Sequence, residues 1–417
     1  MEAKIITYAT PVFFLLIFAE IIASRFMKRA VYRVDDAISS ISLGIMSQIS
    51  GVFLRVITIG IYKFLHDRFS IVFLPADNVF VWMVALLGYD LCYYWLHRMG
   101  HEFSILWAAH VVHHQSEEYN LSTALRQTST GVIFGWIFYV PLIIAGVPPT
   151  VFAVVALIDL LYQFWIHTQL IDRLGWYDRI FASPSNHRIH HAVNDRYLDK
   201  NYGGILIIWD RIFGTFVDED PNEKIIYGTR SQLKSWNPVW ANFEVYYGLI
   251  KDFFRTKSWS NRFAILSSKT GWRPADVMQE YPRPVFRLDR PGYDPRPALS
   301  LQIYGIVQFA MLLMAGMHFL RVQAGADPGV LALYAIWIIL SLSCLGVVME
   351  SRIAGIRAEL LRWTITGTYV ASTGAWFMPG QLPQSLVILM CGWCLVSLVW
   401  VLVVGRRVGT VKRNSAP

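Results

Sequence analysis

Apolar residues along this chain gather in runs too long to be the buried faces of soluble helices. Nine such runs occupy residues 6–24, 38–62, 79–96, 131–147, 150–168, 299–320, 329–349, 361–378 and 385–405. A helix needs about 20 residues to cross about 30 Å of hydrocarbon, and these runs are of that order. Backbone polar groups find no water inside a bilayer, so the runs predict helices and not isolated strands. The expected fold is an all-α, polytopic membrane bundle of about nine transmembrane helices. One long hydrophilic stretch, residues 169–298, separates the fifth run from the sixth and is expected to form a helical cap. The chain thus divides into N-terminal anchor helices (1–78), a central domain (79–298) and a C-terminal bundle (299–417). Arg55 interrupts the second run, and Arg362 lies near one end of the eighth, where its long stem suits snorkelling.

Composition agrees with the pattern: 55% of the 417 residues are hydrophobic and 16% charged, against roughly 45–50% and about 25% in soluble domains. The net charge is +8, from 37 Lys and Arg against 29 Asp and Glu. The basic residues fall between apolar runs and form no nucleic-acid-binding tracts, so a lipid bilayer is the expected partner and nucleic acid is not. Placing the N-terminus outside puts Arg25 to Arg33, residues 97–130, residues 169–298, Arg352, Arg357 and the tail Arg406, Arg407, Lys412 and Arg413 together on the cytoplasmic side. The outer side keeps Lys4, the 63–78 loop with Arg68, the Pro148-Pro149 turn, Arg321 and the stretch after Met378. The N-terminal run has basic residues after it and no small-residue cleavage site, which predicts a retained anchor in a bacterial inner membrane or an endoplasmic reticulum. Cys92, Cys344, Cys391 and Cys394 lie in or beside apolar runs, so no disulfide scaffold is expected, and Cys391-Gly-Trp-Cys394 is read as packing.

The chemistry is concentrated in histidine. Eight of the 11 histidines fall in three clusters, His97-x3-His101, His110-x2-His113-His114 and His187-x2-His190-His191. Residues three and four apart share a helix face, so each cluster can aim imidazoles at one point. A ninth candidate, His167, ends a stripe with Gln163 and Asp159 at intervals of four, and Asp90 stands seven residues before His97. Carboxylates within a membrane mark function or a paired interior position. Asp90, Asp159 and Gln163 are therefore expected to support the imidazoles from behind. His66 and His318 are read as structural. Eight or nine imidazoles exceed the about four to six positions of one ion, so two metals are expected. Imidazole suits Zn, Cu, Fe or Ni. Ligands at the membrane surface suggest a lipid substrate, and attack on an unactivated C–H bond needs a redox metal and O2, which favours iron.

The order H-x3-H, H-x2-HH, H-x2-HH resembles the fatty acid hydroxylase or sterol desaturase superfamily of membrane di-iron enzymes. The third block, Asn186-His-Arg-Ile-His-His191, with Asp199-Lys-Asn-Tyr-Gly203 and Trp209-Asp-Arg-Ile-Phe-Gly-Thr-Phe216, is similar to that superfamily's C-terminal signature. The resemblance covers roughly residues 80–217. Within it, His97-Arg-Met-Gly-His-Glu102, Trp107 to Gln127 and the helices beyond residue 298 most resemble the tetrahydrobiopterin-dependent branch that cleaves ether lipids. The resemblance implies that the eight clustered histidines ligate two irons. It implies O2 as co-substrate, tetrahydrobiopterin as electron source, and a di-metal catalytic domain over 79–298 facing the cytoplasm. It implies that Glu102 acts in proton transfer or supports the ligands. Gln163-x3-His167 stands where some hydroxylases have a further H-x3-H, which keeps His167 as a ligand candidate. The expected reaction is hydroxylation of the ether-linked carbon of an alkylglycerol lipid, releasing fatty aldehyde and a glycerol derivative. The alternative is hydroxylation or desaturation of a sterol, fatty acyl or carotenoid substrate with electrons from a redox protein. A pterin-recycling or redox partner is compatible with either reading, and the sequence does not fix the oligomeric state.

Overall fold

The computed structural model describes residues 2–378, 380 and 382–414; the expectations placed on the side chains of Lys4, Arg55, Arg406, Arg407, Lys412 and Arg413 and on Pro379 lie outside the described residues. Among the described residues there are helices and no strands, with isolated bridges only at Phe103–Lys269, Phe181–Leu206 and Ala192–Tyr227. The main helices are α1 (Glu2–Phe26), α2 (Val34–Phe69), α3 (Val79–Glu102), α4 (Ser104–His110), α5 (Pro149–Trp165), α6 (Pro184–His190), α7 (Pro238–Arg255), α8 (Trp259–Ser267), α9 (Leu299–Val322), α10 (Pro328–Met349), α11 (Ile353–Thr373) and α12 (Gln384–Asn414).

Six of these helices are long and apolar enough to cross a membrane: parts of α1, α2 and α12 and the whole of α3, α9 and α10. The other three expected runs are helical but differ in kind. Residues 131–144 form three short pieces, Gly131–Gly135, a 3₁₀ turn Trp136–Tyr139 and Val140–Ile144. Pro141 has no N–H to donate, which interrupts the helical ladder there. α5 is apolar but has only 17 residues. α11 carries Arg357, Glu359 and Arg362 along its 21 residues. α2 runs on to Phe69, so His66 and Arg68, expected in a loop, lie in its last turn.

Two compact units divide the chain. The first comprises residues 1–33, 51–233 and 242–292. Its helices start where the sequence supplies acceptors: the Asn78 side chain accepts from Phe80 N at 2.9 Å to cap α3, and Ser183 caps α6 with Pro184 in the first turn. A core of Tyr62, Ala85, Tyr89, Tyr139, Leu142, Ile143, Val151 and Phe152 packs α3 against α5 and the broken segment. Gly146 has φ +81°, and a Cβ there would lie 1.6 Å from the Val72 carbonyl oxygen, so this turn requires glycine.

The second unit comprises residues 34–50, 234–241 and 293–417. Leu301, Tyr304, Val348, Ile356, Val401 and Val404 form its core. Arg362 does not snorkel: it is buried, and its Nε and Nη2 donate to Glu359 Oε1 and Oε2 at 2.7 and 2.6 Å. Pairing inside a bundle removes the cost of an isolated charge that would otherwise drive the side chain outward. All four cysteines are free.

Candidate metal centre

His97 and His101 lie on the last turns of α3, four residues apart and on one face. α4 and the 3₁₀ turn Val111–His114 carry the second block, and α6 with its C-terminal residue His191 carries the third. His167 follows the end of α5 by two residues. All nine imidazoles come together, in two groups. His97, His101, His110, His114 and His190 form one, and His113, His167, His187 and His191 the other; within each group the candidate donor atoms all lie within 4.8 Å of one another. The groups adjoin, with His114 and His191 ring centroids 4.4 Å apart.

Neighbouring residues of a helix diverge by about 100°, whereas residues four apart nearly coincide. His110 and His114 therefore serve one group and His113 the other; His187 and His191 serve one group and His190 the other. Each H-x2-HH block is thus shared between both groups and binds them into one centre.

The ring orientations identify what the groups accept. His97 Nδ1 lies 2.8 Å from the Tyr202 carbonyl, His113 Nδ1 2.9 Å from that of Arg126, His167 Nδ1 2.7 Å from that of Gln163 and His190 Nδ1 3.1 Å from that of Lys200. A carbonyl only accepts, so these nitrogens carry the protons and each Nε2 keeps its lone pair. Yet His113 Nε2 and His167 Nε2 face each other at 3.1 Å. Two lone pairs at that separation repel unless a cation lies between them. His167–His187, His187–His191, His101–His114 and His110–His114 make the same Nε2 approach at 3.1–3.2 Å. Two nitrogens each about 2.1 Å from a shared ion and roughly at right angles are about 3.0 Å apart. His97 Nε2 and His190 Nε2 are buried with no hydrogen-bond partner, which a metal bond would satisfy. Burial also pushes the imidazoles of His110, His114, His187, His190 and His191 well below their ordinary pKa, and that of His113 down to about 4. They are neutral at physiological pH, as ligation requires. The residues fit a pair of metal ions.

The expected supporting residues are near the centre but act mainly through backbone. Asp90 accepts from Ile205 N at 2.8 Å, Leu206 N at 3.1 Å and Trp209 Nε1 at 2.8 Å. It grips the loop whose Tyr202 carbonyl holds His97. Asp159 Oδ2 accepts from Gln163 Nε2 at 2.7 Å, Gln163 Oε1 accepts from Tyr93 at 2.8 Å, and the Gln163 carbonyl holds His167. Asp159 Oδ1 is buried without a partner, and a Cβ at Gly204 would lie 2.7 Å from it, so glycine lets this loop close on the carboxylate. Glu102 pairs with Arg98, Oε1 to Nε 2.7 Å, with its side chain 31% exposed.

Other contributors escaped the sequence reading. Asp199 and Asn201 both have φ 57°, a left-handed conformation these residue types tolerate. The tight turn they make presents the Lys200 carbonyl to His190 and the Tyr202 carbonyl to His97. Asn201 fastens it by donating to Asn186 O at 3.1 Å and Val217 O at 2.9 Å, and Asp210 accepts from Tyr202 N and Gly203 N at 2.8 and 2.7 Å. These residues belong to the Asp199–Gly203 and Trp209–Phe216 blocks, which were visible in sequence as a signature but not as a scaffold. On α1, Glu20 accepts from Leu121 N at 2.8 Å, Thr168 Oγ1 at 2.5 Å and the Tyr32 hydroxyl, joining that helix to both segments beside His167.

Fold and site together define a class: an all-helical membrane protein with two adjacent all-imidazole cages suited to metal. The family model for fatty acid hydroxylases matches residues 82–215. The chain is 39% identical over 359 residues to an alkylglycerol monooxygenase of Homo sapiens, covering 85% of this chain and 80% of that one. Identity to the alkylglycerol monooxygenase of Xenopus tropicalis is 37% over 356 residues (85% and 79%), and to that of Danio rerio 38% over 369 (86% and 80%). The chain belongs to the alkylglycerol monooxygenase family within the fatty acid hydroxylases. No solved structure gives a significant match.

Proposed function

We propose that this chain hydroxylates the ether-linked carbon of alkylglycerol lipids with O2. The observation that carries this is the facing pair His113 Nε2 and His167 Nε2, 3.1 Å apart with both Nδ1 atoms committed to carbonyls; the relatives' names supply the substrate class. His97, His101, His110, His114 and His190 would hold one iron, and His113, His167, His187 and His191 the other. Bound there, iron supplies the reductive activation of O2 that redox-inert zinc lacks.

Burial keeps the imidazoles of His110, His113, His114, His187, His190 and His191 neutral, backbone carbonyls fix the tautomers of His97, His113, His167 and His190, and the fold excludes water around the reacting carbon. Insertion of one oxygen atom into the C–H bond beside the ether oxygen gives a hemiacetal. The second oxygen atom leaves as water with two electrons and two protons, the electrons coming from tetrahydrobiopterin, which is oxidised to a dihydropterin. The hemiacetal C–O bond then breaks, releasing fatty aldehyde and free glycerol or glycerophospholipid. Glu102, at the partly exposed edge beside His101, is assigned to proton transfer in company with Arg98. Asp90, Asp159 and Gln163 are assigned to positioning: Asp90 through the Tyr202 loop, Gln163 and Asp159 through His167.

The topology belongs to the same proposal. Nine segments enter the membrane, the N-terminus is outside, and the histidines face the cytoplasm. Residues 1–78 serve as anchor, 79–298 as catalytic domain and 299–417 as a separate bundle. A pterin-recycling partner would sit on the cytoplasmic side.

Membranes containing the chain, given an alkylglycerol and reduced pterin, are expected to release long-chain aldehyde. Activity that ignores pterin and needs ferredoxin or cytochrome would instead favour a sterol or fatty acyl substrate. Iron analysis of the purified protein tests the centre independently of substrate.

A further inference from the structure

α7 and α8 were expected to lie within a hydrophilic cap, yet both expose large aromatic residues. Phe243, Tyr247, Ile250 and Phe254 recur along α7 at intervals of four, three and four, which places them on one stripe. Phe254 is 73% exposed, and on α8 Trp259 and Phe263 are 68% and 67% exposed. The other side of α7 is engaged: Asn242 accepts from Ser129 N at 2.9 Å, Tyr246 donates to Thr130 at 3.0 Å and Asp252 takes both Nε and Nη2 of Arg273 at 2.6 and 2.8 Å. The aromatic stripe is thus turned away from these contacts and is exposed at Phe243, Tyr247, Ile250 and Phe254.

Its depth can be placed against a membrane span. Residues 268–270, which follow α8 directly, pair with the end of α3 and the start of α4: Ser104 N donates to Ser268 O at 3.0 Å, Thr270 N to Glu102 O at 3.0 Å, and the Thr270 hydroxyl to the His101 carbonyl. α3 is a membrane-length helix, so its end lies at the bilayer surface. The nine residues of α8 span only about 13 Å, which keeps the whole helix close to that surface. Apart from the half-buried Glu244, the charges along the edge of the stripe are basic. Lys251 lies 4.2 Å over the Tyr247 ring and Arg262 4.2 Å over that of Trp259, with exposed Arg255, Lys257 and Lys269 nearby. Aromatic residues on one face and lysine or arginine at its margin make a helix that lies in the headgroup region.

We propose that α7 and α8 form an in-plane anchor that sinks this aromatic face into the anionic headgroup layer of the bilayer that holds the chain. The bound face is tied through Ser268–Thr270 to the backbone of His101–Ser104, so it fixes the height of the histidine centre relative to the lipid surface. The inference rests on the membrane spans and the exposed face and is independent of which lipid reacts.

The test uses the full chain in vesicles of phosphatidylcholine and phosphatidylglycerol, with a spin label at F254C or F263C and a control label at E280C. These positions are exposed, so the fold tolerates them. The labels at 254 and 263 are expected to be reached by O2 severalfold better, relative to a water-soluble nickel chelate, than the label at 280. Equal access of the nickel chelate at all three positions would show the face in water and overturn the proposal. Spin–spin broadening between labels on different copies would show a second chain covering the face and overturn it equally. Aldehyde production does not enter the readout, so failure here leaves the proposed reaction untouched.

Discussion

His190 and His191 are neighbours in sequence, yet one belongs to the group on α3 and the other to the group around His167. His190→Ala therefore removes a donor from one group only. The expected result is loss of one of the two irons with the other retained, read as iron per chain in purified protein; loss of both would show that the groups fold as one site. The clusters themselves were legible because spacing of three and four is a helix signature. Their partition follows from helix geometry as well, since adjacent residues diverge by about 100°, but it emerges only once the partners across the centre are placed. Backbone acceptors were not legible at all. The carbonyls of Arg126, Lys200 and Tyr202 hold three imidazoles, and a carbonyl leaves no trace in residue type. Asp90 shows the same limit. Its position near the histidines was readable, but its partners lie 115 to 119 residues away, so its grip on a loop was not. Asp90→Asn puts an N–H against donors and is expected to cost about 3 kcal/mol. A lowered thermal midpoint with reduced iron retention would bear this out, and an unchanged midpoint would count against it.

At the scale of elements, α1 was readable as an apolar run over 6–24, and the helix, Glu2–Phe26, extends past it at both ends. Its role at the centre was hidden in one residue. Glu20 is a buried acid on a membrane-length helix, a placement that usually marks a partner, and it holds Leu121 N, Thr168 and Tyr32 together. Glu20→Ala removes the acceptor of three donors, the buried Leu121 N and Thr168 Oγ1 and the half-buried Tyr32 hydroxyl, and stability is expected to fall by about 3 kcal/mol. Thermal unfolding in detergent measures this, and hydrogen exchange should rise first at residues 119–125 and 166–170. Exchange confined to α1 would mean that the carboxylate does not join the segments. The break in the helix at 131–144 was hidden for a related reason. Its apolar content predicts a span, while Pro141 and the 3₁₀ turn decide its shape, and hydropathy does not register a missing N–H.

For the molecule as a whole, all nine grouped histidines fall in the first compact unit, which also contains the helices that carry them. Metal removal should therefore loosen that unit, and the effect should depend on pH with a defined sign. In the metal-free chain, burial holds the imidazoles of His110, His113, His114, His187, His190 and His191 below the ordinary value of 6.5, with His113 at about 4. Above pH 6.5 these rings are neutral both folded and unfolded, and protonation favours neither state. Below it the unfolded chain takes up protons that the folded chain refuses, so folding weakens as pH falls toward about 4. For His113 alone the loss is on the order of 3 kcal/mol, and burial acts in the same direction on the other five. Bound metal competes with protons for the same Nε2 atoms, so the loaded protein should hold its stability until acid expels the ions. The measurement is the thermal midpoint of chelator-stripped and iron-loaded protein between pH 8 and pH 4. The stripped protein should decline steadily below pH 6.5 and the loaded one should fall later and more abruptly. Identical profiles would mean that the buried imidazoles do not face a shared cation, and the case for a di-metal centre would fail with them.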